Sequence, residues 1–91
     1  MRDDDFEWDD RKAASNLRKH RVRFELARFV FDDPIAIDEL DEGEDEERFQ
    51  RIGMASGRLL LVVYALRGRR NRIISARRAN NHEQDKYIRR T

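Results

Sequence analysis

Arginine, lysine, histidine and tyrosine are the side chains in this sequence with the clearest capacity for chemistry. Seventeen of the twenty bases are Arg, the chain has no cysteine, and its two histidines, His20 and His82, lie far apart. No Gly-rich phosphate loop, spaced set of metal ligands or Ser/His/Asp order occurs. The side chains that remain, Arg, Lys, His and Tyr, suit RNA cleavage without a metal or a cofactor. A base takes the 2′-hydroxyl proton, cations stabilise the phosphorane, and an acid protonates the leaving 5′-oxygen.

The C-terminal half supplies the first two candidates, Ser75 and Arg77. They lie two residues apart in a predicted strand, and because side chains alternate along a strand, both point to one face. If helices cover the other face through Ile74 and Ala76, Ser75 and Arg77 are open to a ligand. The alternative for Arg77 is an ion pair with a carboxylate of the acidic segment 38–47.

Other candidates also carry alternatives. His20, which follows Lys19 at the end of a predicted helix, is either a general acid or base, or a C-cap histidine stabilised by the helix dipole. Arg48 stands beside two acids and is either a catalytic cation or their partner. Tyr87 either stacks on a base or donates a proton, or it packs the last helix on the sheet.

Two more arginines flank the same predicted strand. Strict alternation places Arg72 and Arg78 on the side of Ile74 and Ala76. The predicted catalytic residues are Lys19, His20, Arg48, Arg77 and Tyr87, and the predicted RNA-binding residues are Arg72, Ser75 and Arg78.

Charge is strongly segregated along the chain, although the net charge is only +1. Residues 32–47 hold ten acids and no base, whereas residues 48–91 hold twelve bases and two acids. Because the guanidinium fork binds phosphate with two hydrogen bonds, the basic half predicts a phosphate or RNA surface. The alternative is that these arginines form solvated faces and that their number reflects only a genome of high GC content.

Composition limits the class of protein. With 91 residues, of which 38% are apolar and 43% charged, the chain can build one small core. The longest apolar run, Leu59–Leu66, has eight residues, against about 20 needed to span a bilayer. The acidic start carries no apolar signal-peptide core. We therefore predict one cytoplasmic domain over residues 1–91, with residues 1–5 disordered and residues 38–47 as an acidic loop.

The elements that must position the candidates follow from periodicity, caps and turns. Turns at Gly57 and Gly68 are short, which predicts antiparallel neighbours. The fold class is therefore α+β, a small twisted antiparallel sheet with two N-terminal helices and one C-terminal helix. The predicted elements are a strand at Phe6–Trp8, a helix from Asp9 or Asp10 to about His20, a helical pattern from Phe24 to Asp32, a strand start at Ile35–Ile37, strands at Arg48–Met54, Arg58–Leu66 and Asn71–Arg78, and a helix capped by Asn80.

A series of short segments in a fixed order covers most of the chain, residues 6–88. The segments are Phe6–Asp9, Lys12, Asn16, Lys19-His20, Val22, Phe24-Glu25, Ala27, Phe31–Pro34, Glu47-Arg48, Ile52-Gly53, Leu61–Tyr64, Arg72–Arg77, Ala79, Glu83 and Tyr87. Together they resemble BrnT-type toxins. No single segment is specific, but the ordered series is.

This resemblance implies a fold like that of RelE-type ribonuclease toxins, with helices on one side of the sheet. It also implies a metal-independent endoribonuclease that inhibits translation by cutting RNA. The implied partner is a BrnA-like antitoxin whose ribbon-helix-helix part binds operator DNA, with two toxins flanking the antitoxin core. Lys19, His20, Arg48, Arg72, Ser75, Arg77 and Tyr87 match motif positions of the family.

Two departures lie at the corner between the first two helices. Arg21 stands where the family usually has Gly, and Arg23 stands where it has a small hydroxyl residue. They mildly favour an alternative function, a non-catalytic module that acts as corepressor or scaffold for its antitoxin. A general RNA-binding protein, supported by charge alone, is a third interpretation.

Overall fold

The computed structural model of the protein describes residues 1–41 and 47–90. Its strands and helices confirm the α+β class. The elements are β1 (Phe6–Glu7), α1 (Asp10–His20), α2 (Phe24–Ala27), a 3-10 helix (Arg28–Asp32), β2 (Ile37–Asp41), β3 (Arg48–Ala55), β4 (Arg58–Arg67), β5 (Arg70–Arg78) and α3 (Asn81–Arg90). Within these two ranges, no helix combines the length and apolar character that crossing a membrane requires.

The sheet has the strand order β1-β5-β4-β3-β2 and is mixed. The β2–β3, β3–β4 and β4–β5 pairs are antiparallel, as the short turns predict. The prediction of an antiparallel sheet is wrong at one edge, where β1 runs parallel to β5 with Phe6 opposite Asn71. Turn chemistry gives the direction only of strands joined by a turn, and β1 is separated from β5 by most of the chain.

Helices cover both faces of the sheet. On face A, the side that carries Leu60, Val62 and Ile73, the main core packs against Phe24 and Val30 of the N-terminal helices. On face B, the side that carries Ile52 and Leu61, a smaller cluster forms with Tyr87 of α3. The arrangement implied by the resemblance, with helices on one side, therefore does not hold for this chain.

Residues 1–5 are held by hydrogen bonds, although we predicted them to be disordered. The Oδ1 of Asp3 accepts the backbone N–H groups of Phe6 at 2.7 Å and Asp5 at 3.0 Å, and these bonds lower the pKa of the Asp3 carboxyl. Asn71 of β5 donates its N–H to the carbonyl of Asp5 at 2.8 Å. The segment thus extends the pairing between β1 and β5.

The acidic loop prediction is wrong for residues 38–41, which form most of β2. The strand is possible because its acids find polar partners on both faces. Asp38 pairs with Arg51 at 2.7 Å, and Glu39 pairs with Lys86 of α3 at 3.0 Å. Of the remaining predicted loop, residues 42–46 lie outside the described residues.

Side-chain caps and turn residues set the helix ends. Asp9 caps α1 by accepting the N–H groups of Arg11 and Lys12, which lowers its pKa. Asn80 and Glu83 exchange two 2.9 Å bonds in the predicted capping box of α3. The second helical pattern is a single α-helical turn followed by the 3-10 helix, which ends before Pro34 as predicted.

Candidate functional site

A β-bulge in β5 decides which candidates share a face. Val63 pairs with Ser75, but Tyr64 pairs with Ile73, so Ile74 has no partner across the strand pair. The extra residue shifts the alternation by one. Ile73 therefore joins Ala76 in the core on face A, whereas the prediction grouped Ile73 with Ser75.

The same bulge brings three predicted RNA-site residues together. The pairs Ala65–Arg72, Val63–Ser75 and Leu61–Arg77 place Arg72, Ser75 and Arg77 on face B. Strict alternation had placed Arg72 on the opposite face. Arg78 pairs with Leu60 and is exposed on face A, apart from the others.

Arg48 joins this face from β3. It precedes Phe49, which pairs with Tyr64, so Arg48 lies beside Ala65 in the next strand. Because Arg72 flanks Ala65 on the other side, the two arginines belong to one row across the sheet. On the outer side Arg48 pairs in register with Asp41 of β2. The alternative in which Arg48 is the partner of Glu46 and Glu47 stays a prediction, since Glu46 lies outside the described residues.

Lys19 and His20 line a cleft between α1 and β5, together with Ser75. The cleft has a volume of about 200 Å³, and its lining residues are Lys12, Ser15, Asn16, Lys19, His20, Ile74 and Ser75. Sequence reasoning missed Lys12 and Ser15 as site residues. The available signal was spacing, because Ser15 lies three residues after Lys12 and four before Lys19, and residues at such intervals share one side of a helix.

Asn16 holds the two walls of this cleft together. Its Nδ2 donates to the carbonyls of Val22 at 2.9 Å and Ala76 at 2.8 Å, and its Oδ1 accepts the Ala76 N–H at 3.0 Å. The side chain is buried. The Asn16 amide therefore makes the hydrogen bonds to Ala76 that a neighbouring strand would otherwise make, because β1 ends before it reaches this part of β5.

Arg77 makes a two-pronged ion pair with Glu83 of α3. Its Nη1 and Nη2 donate to the two carboxylate oxygens at 2.8 Å each, and Nη1 also donates to the carbonyl of Arg78 at 3.2 Å. The hydrogen bonds to Glu83 raise the pKa of Arg77, and the bonds from Arg77 lower that of Glu83. Arg77 is thus ion-paired, but the predicted partner was wrong, because the carboxylate belongs to Glu83 of α3 and not to the acidic segment.

Arg72 is also paired, because its Nη1 donates to Glu7 of β1 at 2.8 Å. Tyr87 packs α3 on the sheet with Ile52 and Leu61, as its second interpretation proposed. Its hydroxyl donates to Asp33 Oδ2 at 2.7 Å, and burial together with this acceptor raises the pKa of Tyr87 to about 12.

The two histidines differ in their surroundings. Both are exposed, but His20 lines the cleft, whereas His82 lies in the first turn of α3 and is not among the cleft residues. Across residues 1–41 and 47–90, no group of three or more His, Asp or Glu side chains is arranged to hold a metal ion.

Sequence comparison with known proteins identifies the family of this chain. Curated proteins give no significant sequence match. One family model, described as the ribonuclease toxin BrnT of type II toxin–antitoxin systems, matches residues 8–83. This range includes α1, the bulged strand and every predicted site residue except Tyr87. The chain therefore belongs to the BrnT family of ribonuclease toxins of type II toxin–antitoxin systems.

Proposed function

We propose that this toxin is an endoribonuclease that inhibits translation by cutting RNA through metal-independent transesterification. The reaction takes place on face B of the sheet and in the adjoining cleft between α1 and β5. The observation that carries the proposal is the register of β5, which gathers Arg72, Ser75 and Arg77 on one face beside Lys19 and His20. Cations and a titratable imidazole at one place are what this reaction needs.

The roles follow from position and chemistry. His20 exchanges protons with the 2′-hydroxyl or the leaving 5′-oxygen, and Lys19 stabilises the negative charge that builds on the phosphorane. Ser75 donates a hydrogen bond from the opposite wall of the cleft. Arg48 and Arg72 hold flanking phosphates along their row of the sheet.

Arg77 acts as a preorganised cation. Arg has five N–H donors, of which Glu83 and the Arg78 carbonyl use three, so two remain for a phosphate oxygen. Because Glu83 fixes the guanidinium before RNA arrives, little reorganisation is needed during the reaction. We assign Tyr87 the task of seating α3, and with it Glu83, since its hydroxyl is engaged by Asp33. Arg78 serves as an outer phosphate contact.

Membership of the family implies an antitoxin partner and an RNA substrate. We further propose that the antitoxin is BrnA-like, with a ribbon-helix-helix part that alone contacts operator DNA. Two toxins flank each antitoxin core in the complex, and the toxin acts in the cytoplasm.

RNA cleavage by the purified toxin in EDTA tests the mechanism. We expect fragments that end in 2′,3′-cyclic phosphate, and no cleavage of the same oligonucleotide carrying 2′-deoxyribose at the cut site. The double variant R77M/E83Q removes the guanidinium without leaving a buried carboxylate unpaired. It should lose at least about 100-fold in rate, whereas Glu83→Gln alone keeps the cation and should retain most of the activity.

Arg89→Ala, which removes an exposed arginine of α3, is the matched control and should cleave like wild type. Induced expression provides the cellular counterpart, in which wild type arrests growth and fragments total RNA and R77M/E83Q does neither. A wild type that is harmless and leaves RNA intact would show that the catalytic proposal is wrong. The chain would then be a partner-binding module that keeps the fold.

A further inference from the structure

An apolar groove lies outside the proposed RNA site, between the N-terminal helices and the end of β3. Its volume is about 500 Å³, enough for one or two large side chains. The residues that line it are Leu26, Phe29, Asp32, Asp33, Met54 and Ser56. None of the residues proposed to contact RNA is among them.

Two large apolar side chains in this groove are exposed. Phe29 is 51% exposed and Met54 is 39% exposed, although the 3-10 helix that carries Phe29 buries the next residue, Val30, completely. Single exposed apolar residues are common on soluble proteins, but adjacent ones that line a concave surface are typical of sites that bind a partner. Phe29 and Met54 therefore form an anchor site that the fold itself leaves unfilled.

The charged groups of the groove are carboxylates. Asp32 is exposed and makes no ion pair among the described residues. Asp33 accepts the N–H of Met54 at 2.8 Å and the hydroxyl of Tyr87 at 2.7 Å, which keeps it ionised. Two carboxylates repel phosphate, so RNA is not the occupant, and they attract a basic segment of a protein.

We propose that this groove docks an amphipathic segment of the cognate antitoxin. A large apolar side chain of that segment lies between Phe29 and Met54, and an adjacent Arg or Lys pairs with Asp32. This inference rests on the proposed function in two ways. It requires that the toxin has the antitoxin partner of its family, and that the proposed RNA site lies outside the groove. A toxin altered in the groove should therefore still cut RNA but escape neutralisation.

The test measures the affinity of purified full-length cognate antitoxin for toxin variants by calorimetry. Phe29→Ser removes the aromatic anchor, and Leu66→Ser is its control, because Leu66 is a similarly exposed apolar residue, at 58%, and lies outside the groove. Asp32→Lys reverses the charge of the rim, and Asp4→Lys makes the same change at an exposed position elsewhere. We expect both groove variants to bind antitoxin at least about tenfold more weakly, and both controls to bind like wild type.

Thermal melting of each variant shows whether it is folded, and RNA cleavage without antitoxin shows whether the RNA site is intact. Unchanged affinity in folded Phe29→Ser and Asp32→Lys overturns the proposal, as does equal weakening in the controls. A toxin dimer that Phe29→Ser dissociates, with antitoxin affinity unchanged, assigns the groove to a second copy and also overturns it. Selective loss of antitoxin binding in a toxin that never cleaves RNA supports the docking site and counts only against the catalytic proposal.

Discussion

Arg21 adopts a backbone conformation that is unfavourable for a residue with a Cβ atom. It ends α1 with φ of 59°, in the left-handed region, and its N–H donates to the Leu17 carbonyl at 2.9 Å. Gly is the usual residue at such a position because it has no Cβ to clash. Arg occupies the position here, and the turn nevertheless adopts the left-handed geometry. Arg23, two residues later, is the N-cap residue of α2 and makes no side-chain cap bond.

Arg21→Gly should therefore stabilise the protein. Relief of the left-handed strain outweighs the greater chain entropy of Gly in the unfolded state, and we expect a gain of about 0.5–1 kcal/mol. Chemical denaturation monitored by circular dichroism measures the free energy of unfolding.

Arg18→Gly, an exposed site inside α1, is the matched control and should lose about 1 kcal/mol. If Arg21→Gly also destabilises the protein, the Arg21 side chain has a role that its backbone geometry does not show.

At the scale of elements, the open edge of β5 is completed by a helix. β1 pairs with β5 only at Asn71 and Arg72, which leaves the backbone at Ala76 without a strand partner on that side. The amide of Asn16 supplies both a donor and an acceptor to Ala76 and also binds Val22 beyond the end of α1. One side chain thus fixes the distance between Lys19-His20 on one wall of the cleft and Ser75 on the other.

Asn16→Ala should destabilise the protein by about 3 kcal/mol, because it leaves buried backbone groups of Ala76 and Val22 unsatisfied. Urea denaturation gives the change in free energy. Amide hydrogen exchange should accelerate at Ala76 in particular.

The neighbouring Ser15→Ala, which lines the same cleft, is the control and should change stability by under about 0.5 kcal/mol. Equal effects of the two substitutions would mean that the amide network of Asn16 contributes nothing beyond ordinary helix packing.

For the molecule as a whole, α3 is held to the sheet largely by polar contacts. It buries Tyr87 against face B, while Glu83 pairs with Arg77 and Lys86 pairs with Glu39. The Glu83 side chain is only 12% exposed and that of Arg77 is 38% exposed, so this pair is partly shielded from solvent. Attachment of the C-terminal helix therefore depends on carboxylates remaining ionised.

Stability should consequently fall in acid. Hydrogen bonds from Arg77 lower the pKa of Glu83 from its ordinary value of 4.5, so its contribution is fully present above pH 4.5. The contribution is lost as pH falls through the folded-state pKa, because protonation then removes the ion pair. We expect the free energy of unfolding of Glu83→Gln to be about 1–2 kcal/mol below that of wild type at pH 7. This difference should shrink progressively as the pH falls below 4.5.

Thermal or urea unfolding of both proteins between pH 3 and pH 7 measures the difference. Asp85→Asn breaks the exposed Arg89 pair of the same helix and should cost under about 0.5 kcal/mol at every pH. A Glu83→Gln deficit that stays constant down to pH 3 would contradict the proposed role of ionisation.

The features that sequence alone determined are local. Asp9, the Asn80–Glu83 capping box and the stop before Pro34 act within a few residues, so helix ends were predictable. The hairpins from β3 to β5 follow from short turns for the same reason. The family could also be recognised from the sequence, since the order of its characteristic residues can be read without knowing which residues they contact.

Tertiary structure alone decided the rest, because those features depend on residues distant in sequence. The bulge at Ile74 arises from pairing with β4 and moves Arg72 to the face of Ser75 and Arg77. The acids of residues 38–41 form a strand only because Arg51 and Lys86 lie opposite them. Glu83 was predictable as a cap, but its ion pair with Arg77 requires α3 to fold back on face B. Local rules set where each element ends, and the packing of distant elements sets which side chains meet.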